Sequence, residues 1–353
     1  MKLFGRVFTK RELLEHVGDI SQICRAKRVT LAGGKMQGVN AIEVSTGSGL
    51  VFWVIADRGM GIGDCFFNGA SLSWRSSTGE AAPAYYDARG NNMDRGYYGG
   101  LVHLSGLRNV GGACEDCEEL GLHGRISNLP AENVSLGEWW EEDDYYIEIR
   151  GEVKETSALA ECVVLNRKIT AMLGANWIEI EDAVENRSFK PTEHTILYHT
   201  NYGFPLLERG TEIILNAKSK VDSAGQAVEN ISPVAGPGEA TRSFIYYHDL
   251  AADCSGKSGY VVCNRKVNGG LGIKLSFDKT ALPNLVHWQN FEAGHYVLEL
   301  GPSNCMQVGG RKAERERGTL CFLEPWETKH YKLRFEILAN NKEIDEAIAS
   351  LPE

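Results

Sequence analysis

Apolar and polar residues alternate along most of the chain between about residues 40 and 338. The segments 145–153 and 330–337 are clear cases, because their odd positions are mostly aromatic or aliphatic and their even positions mostly charged. A period of two is typical of β-strands that bury one face. Glycine, asparagine, aspartate and proline separate the runs, so the pattern predicts an all-β chain of stacked antiparallel sheets.

Helical signals occur near the two ends of the chain. Thr9 can cap a helix that runs to about Gly18, with Glu12 completing a capping box. A shorter helix is expected within 19–24.

The tail 341–353 predicts a short helix capped by Asn341 or Asp345. No long stretch with helical period interrupts the β-rich span. The chain is therefore expected to consist of an N-terminal helical extension over 1–30 packed on the core, a single β domain over 31–340 and a C-terminal helix over 341–353.

The composition excludes several classes of function. The 353 residues are 43% hydrophobic, enough for a large core, and the formal net charge is −10. Without a basic stripe to neutralise phosphates, no nucleic acid is expected as a partner. No apolar run approaches the length that spans a bilayer, and the N-terminus resembles no secretory signal, so no membrane partner is expected. Nine cysteines in such a chain indicate reduced thiols and predict a cytoplasmic protein.

Cys114 and Cys117 form the one closely spaced cysteine pair, in "GGACEDCEEL". A zinc site needs a second pair or nearby histidines, and none follows closely. The two acidic residues between the thiols raise thiol pKa values and disfavour redox chemistry. We therefore expect a solvated acidic loop and no bound metal.

A long loop at 76–100 is rich in glycine and tyrosine. Long structured loops in compact domains are often functional. The alternative is a surface excursion packed by its own tyrosines, and the sequence favours neither.

His199 and Asn201 share one face of the predicted strand in "HTILYHTNYGFPLL", and His123 lies among glycines and apolar residues in "GLHGRIS". Neighbouring polar groups that face a pocket suit a sugar ring. The alternative is a structural histidine bonded to a backbone carbonyl.

Glu299 is a carboxylate within the apolar strand "HYVLELGPSNC". Such a group must be paired, hydrogen-bonded or raised in pKa, and a raised pKa suits a general base near neutral pH. The alternative is a structural ion pair with Arg58, Arg125 or Arg311.

Several motifs, taken together and in order, resemble the galactose-mutarotase-like superfamily, in the branch labelled aldose 1-epimerase-like without an assigned substrate. They are "ADRGMGIGD", "GLHGRISNLPAENVS", "LYHTNYGFPLL", "YYHDLAADC" and "GPSNCMQVGGRKAERERGTLCFLEPWET". The resemblance runs from about Leu31 to Leu338. It implies a single β-supersandwich with an open sugar-binding cleft on one concave sheet.

The resemblance also implies roles for the residues that match. His123 would lie near the substrate, and His199 would be the general acid toward the ring oxygen. The branch usually carries its general base directly before a proline, where this chain has Gly301. Glu299 lies two residues upstream, on the same strand face but about 6–7 Å away along the strand. Glu299 is nevertheless expected to enter the cleft as its only carboxylate base.

Glu324 also precedes a proline, but "LEPWET" matches the family's closing turn, so no catalytic role is assigned to it.

Further residues are expected to bind sugar hydroxyls by the same resemblance. The expected contacts are Arg58, Arg125, Asn201, His248, Asp249 and Gln289, with Trp288 as a stacking face. For most of them, ordinary loop capping or packing is the alternative.

The leading hypothesis is an isomerase that interconverts sugar anomers by proton transfer, which needs no cofactor and takes a small sugar or sugar derivative as its partner. The alternatives are an epimerase or isomerase acting at another sugar carbon, a carbohydrate-binding protein without catalysis and a pure interaction domain. The displaced glutamate motivates the binding-only alternative.

Overall fold

The computed structural model describes residues 1–229, 231, 233–239 and 243–353, and its architecture is dominated by strands. In chain order the strands are β1 Lys2–Leu3, β2 Arg6–Val7, β3 Arg25–Thr30, β4 Asn40–Ser45, β5 Leu50–Ile55, β6 Gly61–Phe67, β7 Ala70–Ser71, β8 Val102–Leu107, β9 Cys114–Glu115, β10 Glu119–Leu120, β11 Glu132–Glu141, β12 Asp144–Thr156, β13 Cys162–Met172, β14 Trp177–Asn186, β15 Thr192–Tyr202, β16 Glu212–Ile214, β17 Ala217–Asp222, β18 Phe244–Leu250, β19 Lys257–Asn264, β20 Leu271–Asp278, β21 Asn284–Asn290, β22 Val297–Ser303, β23 Cys321–Leu323 and β24 Thr328–Leu338.

Two large antiparallel sheets form a sandwich. One has eight strands in the order β11–β12–β13–β14–β24–β20–β19–β16. The other has twelve: ten in the order β17–β18–β21–β22–β15–β8–β6–β5–β4–β3, with β23 pairing to β15 and β7 to β6. The all-β prediction is confirmed, because the alternating residues of both sheets meet in one hydrophobic core.

A buried ion pair joins the two sheets inside this core. The guanidinium of Arg167 contacts Asp182 at 2.6 Å, and both side chains are fully buried. The Tyr198 hydroxyl, from the twelve-stranded sheet, donates to the same carboxylate at 2.7 Å. Arg167 also donates to the carbonyls of Gly59 and Met60, so the buried charges are fully hydrogen-bonded.

Three α-helices lie outside the sandwich: α1 Lys10–Leu14, α2 Gly310–Arg317 and α3 Asn341–Ala349. The predicted capping box of Thr9 and Glu12 is present. The helix ends earlier than predicted, because the His16 amide bonds to Leu13 and tightens the last turn. The segment Ile20–Gln22 forms a 3₁₀ turn.

The C-terminal helix α3 is present, but its predicted cap is wrong by one residue. Asn340 is the N-cap, and its side chain accepts from the Glu343 amide. The extension 1–30 contributes the edge strand β3 and five buried residues, which are Leu3, Phe8, Leu13, Val17 and Cys24. The division of the chain at 30 and 340 stays a prediction. In the described part of the chain, no helix combines the length and the apolar character needed to cross a membrane.

Candidate active site

Three neighbouring strands of the twelve-stranded sheet, β15, β22 and β21, present predicted chemical groups on one face. Asn201 on β15 lies opposite Glu299 on β22, and Glu299 lies opposite Trp288 on β21. Residues 198 and 300 point into the core, so their neighbours His199 and Glu299 point away from it. The sheet therefore gathers these side chains on the face that its loops cover.

A cavity of about 680 Å³ lies over this face. The loop 76–100 forms one wall, and segments near 111 and 307 form others. The lining residues are Trp74, Ser76, Ser77, Thr78, Met93, Asp94, Tyr97, Gly111, Gly112, Leu122, His123, His199, Ile245, Trp288, Asn290, His295, Val297, Gln307, Val308 and Gly309. A second groove of similar volume lies over the eight-stranded sheet, away from His123 and His199.

His199 lines the cavity, and Glu299 lies beneath it as a close neighbour that is not itself among the lining residues. The Nε2 atom of His199 lies 3.8 Å from Oε2 of Glu299, and the two side chains are 5% and 0% exposed. Burial raises the pKa of Glu299 well above its ordinary value. Burial, with a smaller contribution from His123, holds the pKa of His199 well below its ordinary value. Burial therefore favours the uncharged form of both groups, with the proton on Glu299.

His123 lines the same cavity, with its ring centroid 5.3 Å from that of His199. Its backbone amide donates to the Gly111 carbonyl, and its Nδ1 accepts from the Gly111 amide at 3.2 Å. Because Nδ1 is an acceptor, the ring hydrogen sits on Nε2. Burial lowers the pKa of His123 to about 4, so it is a neutral hydrogen-bond donor.

Neither oxygen of Glu299 has a hydrogen-bond partner among the described residues. The carboxyl group bends over Gly301, where an added Cβ would overlap Oε1. The carboxyl group of Glu299 therefore lies next to position 301, where the resemblance expects the glutamate. Of the suggested ion-pair partners, Arg58 bonds to backbone carbonyls and Arg311 pairs with Asp116.

Asn201 lies behind the cavity wall. Its side-chain amide donates to the carbonyls of Gly100 and His199, and its Oδ1 accepts from the Tyr97 hydroxyl at 2.8 Å. Tyr97 does line the cavity, and its hydroxyl lies 3.1 Å from Nδ1 of His199. Asn201 therefore reaches the site through Tyr97.

The two arginines expected to bind substrate are not part of the cavity wall. Arg58 is buried and donates to the carbonyls of Ala81, Gly96 and Ser127 and to the Asn128 side chain. These bonds tie the loop 76–100 to the turn Ile126–Asn128. Arg125 is exposed and begins that turn.

His248 and Gln289 point to the opposite, core-facing side of the sheet. They flank His287, which contacts His248 at 3.2 Å and Gln289 at 3.0 Å. Asp249 is exposed and pairs with Lys279. The structure brings none of these residues to the cavity.

Sequence reasoning missed the residues that the loops supply. Asp94 and Tyr97 come from the loop 76–100, so Glu299 is not the only carboxylate near the site. Burial raises the pKa of Asp94. The sequence signal was the length and the aromatic content of the loop, which indicated a function without identifying its residues.

The acidic loop that carries Cys114 and Cys117 is not simply solvated. Asp116 is buried and contacts Arg311 at 2.6 Å and Arg315 at 2.7 Å, both on α2. The loop is therefore fastened to α2, which follows the cavity-lining residues 307–309.

A family model described as "Domain of unknown function (DUF4432)" matches residues 36–337. No curated protein matches the chain. Among solved structures, a "putative aldose 1-epimerase" from Klebsiella pneumoniae has a TM-score of 0.82 at 22% identity, over 93% of this chain and 88% of that one.

Two further structures extend the likeness. A galactose mutarotase-like protein from Clostridium acetobutylicum has a TM-score of 0.61 at 12% identity, over 90% of this chain and 99% of that one. The galactose 1-epimerase from Lactobacillus acidophilus has a TM-score of 0.51 at 13% identity, over 89% and 98% respectively. The fold implied by the sequence resemblance is confirmed.

Proposed function

Because the chain belongs to the family described as "Domain of unknown function (DUF4432)" and has the galactose mutarotase-like fold, we propose that it is an isomerase that interconverts the anomers of a small sugar. The reaction opens the sugar ring at the anomeric carbon and closes it again. Both steps are proton transfers, so no cofactor takes part.

The observation that carries this proposal is the pair formed by His199 and Glu299. Their Nε2 and Oε2 atoms are 3.8 Å apart, with His199 lining the cavity and Glu299 directly beneath it, and burial favours the uncharged form of each group. Ring opening removes a proton from the anomeric hydroxyl and adds one to the ring oxygen. Those two oxygens are bonded to one carbon, so two groups this close can serve both.

The rest of the cavity suits a sugar. Trp74 and Trp288 offer apolar faces on which a pyranose ring can stack. Hydroxyl and amide groups of Ser76, Asn290 and Gln307 can exchange hydrogen bonds with sugar hydroxyls. His123 adds a neutral donor beside the reacting pair.

The test is saturation-transfer NMR of anomer exchange on a panel of aldoses, aldose phosphates and acidic sugars. The wild type should accelerate exchange for at least one of them. Glu299→Gln should lower that rate by about 10²–10⁴-fold while sugar binding persists, because a proton-transfer group is lost. Glu324→Gln is the matched control, since Glu324 is exposed in the turn between β23 and β24. No acceleration for any sugar, or an inactive Glu324→Gln, would contradict the proposal.

A carbohydrate-binding protein without catalysis is the second candidate. The observation that favours it is the complete burial of the Glu299 carboxyl beneath the cavity floor. Calorimetry that finds sugar binding, combined with anomer exchange at the uncatalysed rate, would support this candidate over the isomerase.

A further inference from the structure

Tyr97 contacts Nδ1 of His199, the ring nitrogen other than the one nearest Glu299, and Asn201 contacts Tyr97 in turn. Tyr97 lies between His199 and Asn201, with its oxygen 3.1 Å from Nδ1 and 2.8 Å from Oδ1. A phenol has one hydrogen to donate, so it can serve only one of these two neighbours.

The orientation of Asn201 decides between them. Its amide nitrogen lies 2.9 Å from the Gly100 carbonyl and 3.1 Å from the His199 carbonyl, and both carbonyls can only accept. The reverse orientation would bring three oxygens together without a hydrogen. Oδ1 therefore faces Tyr97, and the phenol hydrogen must point to it.

The direction of the hydrogen bond between Tyr97 and His199 follows from that of the bond between Tyr97 and Asn201. The Tyr97 oxygen, having given its hydrogen to Asn201, accepts the one on Nδ1 of His199. Neutral imidazole carries one hydrogen, so Nε2 presents its lone pair, and Nε2 is the atom that faces Glu299.

Resting on the proposed function, we propose that Asn201 and Tyr97 are positioning residues that hold His199 with its hydrogen on Nδ1, so that Nε2 takes the first proton and the Glu299 carboxyl donates to the ring oxygen. This resting assignment is the reverse of the roles that the sequence resemblance implies. The effect of burial, which raises the pKa of Glu299 and lowers that of His199, agrees with this assignment.

The step balances without a co-reactant. The anomeric hydroxyl gives its proton to Nε2 of His199 while its oxygen forms the carbonyl bond. The bond between the anomeric carbon and the ring oxygen breaks, and that oxygen takes its proton from Glu299. The open-chain sugar then faces an imidazolium and a carboxylate, and closure on either face of the carbonyl restores the neutral pair.

The tautomer can be measured in the sugar-free protein by long-range ¹H–¹⁵N correlation at pH 7.5, with His199 assigned by the loss of its signals in His199→Gln. We expect a protonated Nδ1 and an unprotonated Nε2. Tyr97→Phe should move His199 toward the other tautomer and lower kcat by about 10²-fold, at the lower end of the range for a proton-transfer group.

Tyr202→Phe is the control. It also removes a buried phenol, but one on the strand of His199 that points to the core-facing side of the sheet. It should change neither the tautomer nor kcat. A wild-type His199 with its hydrogen on Nε2, or an unchanged tautomer in Tyr97→Phe, would overturn the inference.

The two proposals fail separately, since the tautomer is measured without substrate. No turnover with the hydrogen on Nδ1 contradicts the proposed function, and turnover with the hydrogen on Nε2 contradicts the inference alone.

Discussion

At the scale of single residues, Gly301 determines where the Glu299 carboxyl can lie. A Cβ at position 301 would overlap Oε1 of Glu299 and lie 2.5 Å from Cδ1 of Leu197. Gly301→Ala should therefore displace the carboxyl group and lower anomer exchange by about 10²-fold, as expected for a reacting group misplaced by about 1 Å. Overpacking should also cost about 1–3 kcal/mol in the free energy of unfolding, measured in urea.

Gly137→Ala is the matched control for that substitution. Gly137 lies in β11, and a Cβ there has only the Glu148 carbonyl nearby, at 4.0 Å. Exchange and stability should stay close to those of the wild type. If Gly301→Ala behaves like Gly137→Ala, the carboxyl of Glu299 is not held where the structure has it.

The alternation of apolar and polar positions along the strands made the orientation of His199 and Glu299 predictable. His199 and Glu299 each lie in a clear strand, and their apolar neighbours at 198 and 300 identify the core side. His248 could not be assigned in this way, because "FIYYHDL" is apolar or aromatic on both faces. Arg58 follows a strand in a turn, where alternation gives no direction.

At the scale of elements, the cavity depends on how the loop 76–100 is held. Arg58 is buried and bonds to the loop carbonyls of Ala81 and Gly96. Arg58→Met should leave buried carbonyls without donors, at a cost of at least about 2 kcal/mol in the free energy of unfolding. Limited trypsin digestion should then cut the loop faster at Arg89 and Arg95.

Arg11→Met serves as the control, because Arg11 is exposed and pairs only with Glu15 among the described residues. Such pairs contribute little, so stability should change by no more than about 0.5 kcal/mol. Equal rates of loop cleavage in Arg58→Met and the wild type would mean that other contacts hold the loop.

Elements with a strong period were predictable, and the others were not. Alternation over 145–153 and 330–337 indicated β12 and β24. Helix α2 has eight residues, mostly charged, and no apolar stripe, since it is held by arginine contacts to Asp116. Tyr97 and Asp94 lie in a loop without any period, and their positions depend on Arg58.

At the scale of the whole molecule, buried histidines should make the fold sensitive to acid. Burial lowers the pKa of His123 and His287 to about 4 and of His194 and His248 to about 3, and holds those of His103 and His199 well below the ordinary value. In the unfolded chain each takes up a proton near pH 6.5, at a cost to the folded state of about 1.4 kcal/mol per pH unit.

Two buried carboxyl groups act in the opposite direction. Burial raises the pKa of Glu155 to about 7 and that of Glu299 well above its ordinary value, so acidification down to about pH 4.5 favours the fold at these sites. The six histidines with lowered pKa values outnumber the two carboxyl groups with raised pKa values, so the net effect of acid is to destabilise the fold. The free energy of unfolding should therefore fall steadily from pH 6.5 to pH 4.5.

Urea unfolding at several pH values measures this slope. His194→Gln removes one of the six groups and should make the slope shallower by about 1.4 kcal/mol per pH unit, whatever its effect at neutral pH. A free energy of unfolding that stays constant between pH 7 and pH 5 would contradict the expectation.

The bend of Glu299 over Gly301 also constrains how the gene can change. Any side chain at 301 collides with the carboxyl group, and a glycine at 301 without a glutamate at 299 leaves the pair with His199 incomplete. A single substitution at either position is thus harmful, although a simultaneous exchange of the two residues can restore an acid beside the histidine. Among homologues, positions 299 and 301 should therefore vary together. Changing from glutamate at 299 with glycine at 301 to the exchanged pair needs both substitutions, because each single intermediate is harmful.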